Sequence, residues 1–303
     1  MEKKDWIIRS EYDGLELHAT VYEPTGEKKG IFQILHGMCE YKERYDGFMR
    51  FFCEHGFVVV CHDQRGHGDS VKSQEDLGYF YDYTANAVVE DAAQVTREIK
   101  KAYPGLKVTL FGHSMGSMIA RCYLREHDVL VDKAIVCGSP SKNPLAGVAI
   151  LLEKCIRLFH GARHRSKMLS YLSTGKGNEN FPGEGRGAWL SHNRENIEEF
   201  YSNPKGDYRF TCNGFENLFK LMKRTYTKKG YRVQNSALPI RFVSGSDDAV
   251  LGGEAQFKEA VEFMRKVGYE NVTSKLYPGL RHEIFHDTDK EKVLADLLDF
   301  ANA

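Results

Sequence analysis

No stretch of this 303-residue chain approaches the roughly 20 consecutive apolar residues that a membrane-spanning helix needs. Charge of one sign is not in surplus either: Lys plus Arg and Asp plus Glu are 42 each, so the formal net charge is zero. Without a basic field the chain is a poor candidate for nucleic-acid binding. Metal and disulfide signatures are missing too. The seven cysteines (Cys39, Cys53, Cys61, Cys122, Cys137, Cys155 and Cys212) are odd in number, scattered, and form no Cys-x-x-Cys pair. Cys61 and Cys137 lie in apolar runs and read as buried free thiols. The opening residues Met1 to Trp6 are polar and lack the apolar core of a signal peptide. These absences together point to a cytoplasmic protein in a reducing compartment. There is no internal repeat and no low-complexity segment.

What the chain does have is a strand–helix alternation. Eight short runs read as strands: Trp6–Arg9, Leu15–Tyr22, Ile31–Leu35, Phe57–Cys61, Lys107–Phe111, Lys133–Cys137, Ile240–Val243 and Val272–Tyr277. The first two, with Asp13-Gly14 between them, suit an antiparallel edge hairpin. Helical spacing occupies Arg44–His55, Asn86–Lys100, Met118–His127, Phe257–Val267 and Lys290–Phe300. Strands alternating with helices imply right-handed crossovers and a mainly parallel sheet. The alternation stops at Gly138-Ser139-Pro140 and resumes after Leu238-Pro239. Between them come only helical pieces (Leu145–Phe159, Asn196–Tyr201, Phe215–Tyr226) and a glycine-rich polar stretch, Gly175–Gly187. The reading is one sheet domain, residues 1–139 and 236–303, interrupted by a helical insertion, residues 140–235. The apolar positions Leu145, Val148, Leu152, Ile156 and Phe159 of that insertion suit either the lining of a channel or the insertion's own core.

The rest of the chain is organised around Gly112-His113-Ser114-Met115-Gly116, a G-x-S-x-G set between a strand and a helix. A strand that turns at once into a helix strains its middle residue and crowds its neighbours, so glycine is needed two positions to either side. The serine hydroxyl then stands clear of the sheet at a helix N-terminus, where developing negative charge is favoured. A serine is a poor nucleophile at neutral pH. It needs a base, and the base needs an orienting acid. Ligands in open α/β sheets bind beyond the carboxyl ends of the strands, so both partners should follow strands. The acid falls in Ser244-Gly245-Ser246-Asp247-Asp248, where two aspartates compete and spacing from the glycine favours Asp248. The base is His282, after the last strand, with His286 as its rival. His113 is expected to pack beneath the serine. Ser114, Asp248 and His282 follow the chain order Ser…Asp…His. Two amides should hold the oxyanion: that of Met115, next after the serine, and that of Met38, in the loop after Ile31–Leu35.

His36-Gly37-Met38-Cys39-Glu40-Tyr41, Arg44-Tyr45, the loop Asp63-Gln64-Arg65-Gly66-His67-Gly68-Asp69-Ser70, the serine motif and Arg281-His282-Glu283 together resemble the monoacylglycerol lipase and lysophospholipase branch of the α/β-hydrolases. Trp189-Leu190-Ser191 and Phe210-Thr211 are similar to cap segments of bacterial members. The resemblance spans nearly the whole chain. It implies the α/β-hydrolase fold, an eight-stranded, mostly parallel sheet under a helical cap. It also implies hydrolysis of a small lipid-like or other acyl ester, with no metal or organic cofactor. It supports Met38 and Met115 as oxyanion donors and Asp248 over Asp247. The family often has glycine and histidine where this chain has Cys39 and Tyr41, a departure in the oxyanion loop that leaves substrate preference open. Short-chain esterase, acyltransferase and aminopeptidase chemistry fit the same three residues. A non-catalytic binding protein on this fold would usually lose one of them, and all three are present.

Overall fold

A computed structural model describes residues 1–175 and 177–303. Eight strands form one sheet in the order β1-β2-β4-β3-β5-β6-β7-β8. They are β1 Glu2–Arg9, β2 Glu16–Glu23, β3 Gly30–Leu35, β4 Phe57–His62, β5 Val108–His113, β6 Lys133–Cys137, β7 Ile240–Gly245 and β8 Val272–Tyr277. β1 pairs antiparallel with β2, and β2 antiparallel with β4; every other pairing is parallel. The expected edge hairpin is therefore present, with its second strand also joined to the main sheet. In β2 the alternating Leu17, Ala19 and Val21 are buried as the period-2 pattern requires.

β3, β4 and β5 are buried at every position, which is why their sequences are apolar runs rather than alternations. Helices cover both faces. α2 Ala87–Ala102, α3 Met115–Tyr123 and α8 Glu254–Val267 enclose one core around Val88, Ile119, Val136 and Met264. α1 Asp46–Glu54 and α9 Lys290–Asn302 enclose the other, where Phe32 stacks on Phe52 with ring centroids 3.9 Å apart.

Parallel register brings the carboxyl ends of the central strands to one rim. Leu35 pairs with Gly112, His113 with Cys137, Cys137 with Val243, and Gly245 with Tyr277. The loops after β3, β5, β7 and β8 therefore open side by side, and these four loops carry the sequence-predicted site residues.

Among the described residues no strand lies between β6 and β7. That segment holds α4 Ala146–His160, the four-residue α5 Lys167–Ser170, α6 Arg194–Ser202 and α7 Cys212–Thr225. In α4, Leu152 and Ile156 pack towards the larger core, but Val148 and Phe159, and Leu145 just ahead of the helix, face solvent and are 61%, 80% and 64% exposed. Neither reading of that apolar row holds for these three: they line no channel and are not core. The helix instead buries Glu153 against α7. All seven cysteines are free, and all but Cys155 are buried. No described helix is long and apolar enough to cross a membrane.

Candidate active site

One residue, Ser114, joins β5 directly to α3. It has φ 53° and ψ −115°, a left-handed backbone that a residue with a Cβ rarely adopts. The turn is tight enough that a Cβ on Gly112 would lie 2.4 Å from the Gly116 carbonyl oxygen, and one on Gly116 would lie 2.0 Å from that of Leu35. The Ser114 amide donates to the Cys137 carbonyl at 2.9 Å, which ties the turn to the neighbouring strand. From Val108 to Arg125 every residue is buried except Ser114. The strained turn therefore lifts one hydroxyl out of an otherwise closed strand–helix unit.

The turn after β7 buries Asp248 and leaves Asp247 exposed. Asp248 Oδ2 accepts from the Ser244 hydroxyl at 2.8 Å, and Oδ1 from the Val250 amide at 2.8 Å. His282 Nδ1 stands 3.0 and 2.9 Å from the two carboxylate oxygens. Asp247 accepts from Ser246 and does not meet the histidine, so the two adjacent aspartates part as the spacing from the glycine anticipates. The proton on Nδ1 points at the carboxylate, leaving Nε2 as the acceptor of the ring. Burial disfavours the charged imidazole, but the Asp248 carboxylate outweighs it and holds His282 above its ordinary value. Burial likewise opposes the Asp248 charge, and the imidazole and hydrogen bonds hold the carboxyl below its usual range. The rival His286 is half-buried in the turn ahead of α9, against Tyr45 and Phe285.

His113 lies beneath, as anticipated, with its ring 4.7 Å from that of His282. Its Nε2 faces the His282 carbonyl at 3.3 Å, and its Nδ1 faces Glu40 at 3.3 Å. The inserted segment also reaches the histidine loop: His282 N–H donates to the Trp189 carbonyl (3.4 Å) and Glu283 N–H to that of Leu190 (2.8 Å).

The loop after β3 is held from two sides. Glu40 accepts from the Gly37 amide and the Tyr45 hydroxyl, both at 2.6 Å. Gln64 donates its amide N–H to His36 Nε2 at 2.9 Å and its side chain to the His36 carbonyl at 2.5 Å. Burial pushes His36 down to about 4, so it stays neutral as this acceptor. The polar loop Asp63–Ser70 is thus a brace. Asp63 accepts from Lys42 Nζ (2.8 Å) and the Asp69 amide (2.9 Å), and a Cβ on Gly68 would strike it. Between these supports Met38 faces the site. Met115 is the first residue of α3, where an amide has no acceptor in its own helix.

Ser114, His282, Met38 and Met115 line one cavity of about 830 Å³, within the range of about 300–1,000 Å³ for small-molecule sites. Met118 and Val250 continue its wall from the sheet domain. Trp189, Leu190, Phe200, Leu218 and Met222 close it from the 140–235 segment.

The model of the family described as serine aminopeptidase, S33, matches residues 26–289. The chain belongs to that family. This S33 family member is an α/β-hydrolase of the kind that includes the monoacylglycerol lipases. It is 24% identical to a monoacylglycerol lipase of Mycolicibacterium smegmatis, over 94% of this chain and 92% of the other. With the human monoglyceride lipase it shares 35% identity over 108 residues, about a third of each chain (36% and 34%). The crystal structure of a thermostable carboxyl esterase from Bacillus coagulans, in complex with glycerol, superposes with a TM-score of 0.89 at 26% identity, covering 100% of this chain and 98% of that one.

All five sequence-predicted site residues of this family member meet at the one cavity or, for Asp248, directly behind it. Sequence reasoning missed the Arg44–Glu283 ion pair (2.6 Å) and its link to Asn196 of α6. It also missed the arginines that line the cavity. Arg44 and Glu283 stand in the motifs that carry the family resemblance, but nothing in their spacing shows that they meet.

Proposed function

We propose that the chain is a serine hydrolase that cleaves carboxylic esters, of the monoacylglycerol or lysophospholipid kind, through an acyl-enzyme. The observation that carries this reading is a strained, solvent-facing serine in the same cavity as an imidazole whose far nitrogen is fixed on a buried carboxylate. In this reading His282 Nε2 takes the Ser114 proton as the hydroxyl attacks the acyl carbon. The Met38 and Met115 amides receive the oxyanion, and Asp248 stabilises the imidazolium. The alcohol leaves with the proton from His282. Water then attacks the acyl-enzyme by the same path and releases the acid. Residues 140–235 act as a cap whose apolar side chains receive the acyl group. The names of the relatives, lipases and esterases, support ester over amide substrates.

The test is hydrolysis of p-nitrophenyl esters from acetyl to palmitoyl, and of monoacylglycerols, by wild type and Ser114→Ala. Activity that rises with chain length and drops by at least about 10³-fold in the variant is the expected result. Ester hydrolysis that survives in Ser114→Ala, or wild-type activity confined to aminoacyl amides, would overturn the reading. Labelling by a fluorophosphonate at Ser114 and nowhere else is the complementary outcome.

A further inference from the structure

A guanidinium taken partly out of water needs an anion beside it, and two side by side need one more strongly. Arg165, in the turn after α4, is half-buried at the cavity wall. Its donors go to two neutral acceptors, the carbonyl oxygens of Arg209 and of Glu75, the latter at 2.8 Å. Among the described residues no carboxylate reaches it. Arg209 also lines the cavity and is half-buried, and its guanidinium makes no hydrogen bond or ion pair among the described residues. Burial, with the like charge of Arg209 adding to it, holds Arg165 below its ordinary value. The pair flanks the oxyanion loop, since Cys39, the residue after Met38, donates its thiol to the Tyr208 carbonyl at 3.4 Å. The other charges at the cavity are accounted for. Arg186 is paired with Asp207 and stacked 3.8 Å over Tyr201, and Lys142 reaches Glu259 at 3.5 Å. Glu40 and Glu283 are held internally, and the exposed Glu179 accepts from Tyr171.

The structure assigns Arg165 and Arg209 to an anion subsite that binds the phosphate of an acylglycerol phosphate while its ester lies at Ser114. The preferred substrate class is then an anionic lysophospholipid rather than a neutral monoacylglycerol. The assignment rests on the ester-hydrolase reading above. The Arg209 guanidinium, which makes no bond among the described residues, is a planar fork that matches phosphate oxygens, and Arg165, bonded to the Arg209 carbonyl, adds a second positive charge beside it; a neutral glycerol would leave both unmet. The bond broken is the acyl carbon–oxygen bond. Water supplies hydroxyl to the acyl carbon and a proton to the departing glycerol phosphate, and the phosphate is unchanged.

The experiment compares kcat/KM for 1-oleoylglycerol and 1-oleoylglycerol 3-phosphate, both below their aggregation concentrations, with p-nitrophenyl butyrate as the headgroup-free control. Wild type should prefer the phosphate-bearing ester by tenfold or more, and the preference should shrink as salt is raised. Arg209→Gln should lose roughly tenfold on that ester, mainly through KM, and stay within about twofold on the other two. Arg165→Gln should do the same but removes two loop-tying bonds, so Arg209→Gln, which breaks none, keeps the test decisive if the first variant misfolds. Equal wild-type rates on the two glycerol esters, or a loss in Arg209→Gln shared equally by 1-oleoylglycerol, would overturn the subsite. Binding to Ser114→Ala, followed by calorimetry, separates this from catalysis. Tighter binding of the phosphate-bearing ester that depends on Arg209 supports the subsite even if no ester is turned over. Equal binding of both sinks it even if esters are cleaved. Inorganic phosphate distinguishes a free anion from a headgroup: phosphate that binds as tightly as the lipid, without any preference between the esters, defeats the headgroup assignment.

Discussion

At the scale of single residues the site depends on two kinds of intolerance. The first is steric. A Cβ at position 116 would meet main-chain oxygen rather than a side chain that can swing away. Gly116→Ala should therefore destabilise by about 3 kcal/mol or more and lower Tm by roughly 5–10 °C in a thermal scan. An unchanged Tm would mean that the turn is not as tight as the Leu35 contact implies. The second is electrostatic. In the proposed mechanism His282 acts as base only when neutral, and Asp248 holds its ionisation above the ordinary value near 6.5. The activity should accordingly climb with pH along a limb centred above 6.5. In Asp248→Asn the charge that raises the imidazole is gone while its burial remains. The limb should move to lower pH, with kcat down by about 10³–10⁴-fold. A limb that stays in place would assign the titration to another group. Ser114, Asp248 and His282 were legible in the sequence because each is tied to local backbone demands: glycines around a strained turn, and a position just past a strand. Arg165 and Arg209 were not, because their significance lies in the partners they lack, which only packing between distant segments reveals.

Elements meet around buried charges. Arg44 follows the loop after β3, Glu283 follows His282, and Asn196 sits on α6. All three are buried and bonded to one another, with Arg44 over the Phe200 ring at 5.0 Å. Removing one charge strands the other. Arg44→Met should cost about 3–5 kcal/mol in denaturant unfolding, and adding Glu283→Met should restore much of it. A double variant that is worse than either single one would show that the pair contributes net stability. Between α4 and α7, Glu153 faces Glu216, with Arg157 of α4 and Lys220 of α7 as the cations present and the Tyr83 ring against Arg157. Burial and the Glu216 charge push Glu153 up to about 7. The folded chain therefore binds a proton that the unfolded chain, titrating near 4.3, has released, so this contribution is full below about pH 4 and is lost as pH rises towards 7. Glu153→Gln should leave Tm nearly unchanged at pH 4.5 and raise it by a few degrees at pH 8. A gain that is the same at both pH values would count against it. The helical period of α4 was legible in its sequence. Its orientation was not, because a row of leucines and valines reads as inward by composition, and here a carboxylate takes the inward place beside cationic partners.

The whole molecule joins a sheet whose central strands are buried on both faces to a segment that closes part of the cavity at its rim, and the two differ in how much they enclose. The central strands β3, β5 and β6 lie between helices on either side and are almost wholly buried. Among its described residues, the segment from Lys167 to Gly187 is mostly exposed, with short helical turns and few buried side chains. Local opening free energies follow enclosure, so amide hydrogen exchange should be slowest in Ile31–Leu35 and Val108–His113 and fastest in the inserted stretch. The edge strands β1 and β8, with exposed faces, should fall between. The cavity makes a sharper demand. Its wall includes Arg186, Trp189, Leu190, Phe200 and Arg209, all from the inserted segment, and Trp189 and Leu190 also accept amide bonds from the histidine loop. A long-chain phosphonate attached to Ser114 would bury apolar surface against that wall and nothing against β3. Exchange should then slow across 186–190 and 200–209 and remain unchanged in β3. Protection that appeared only at residues 112–118 would mean that the acyl group leaves the cavity towards solvent. The inserted segment would then be a passive cover rather than the surface that selects the acyl chain.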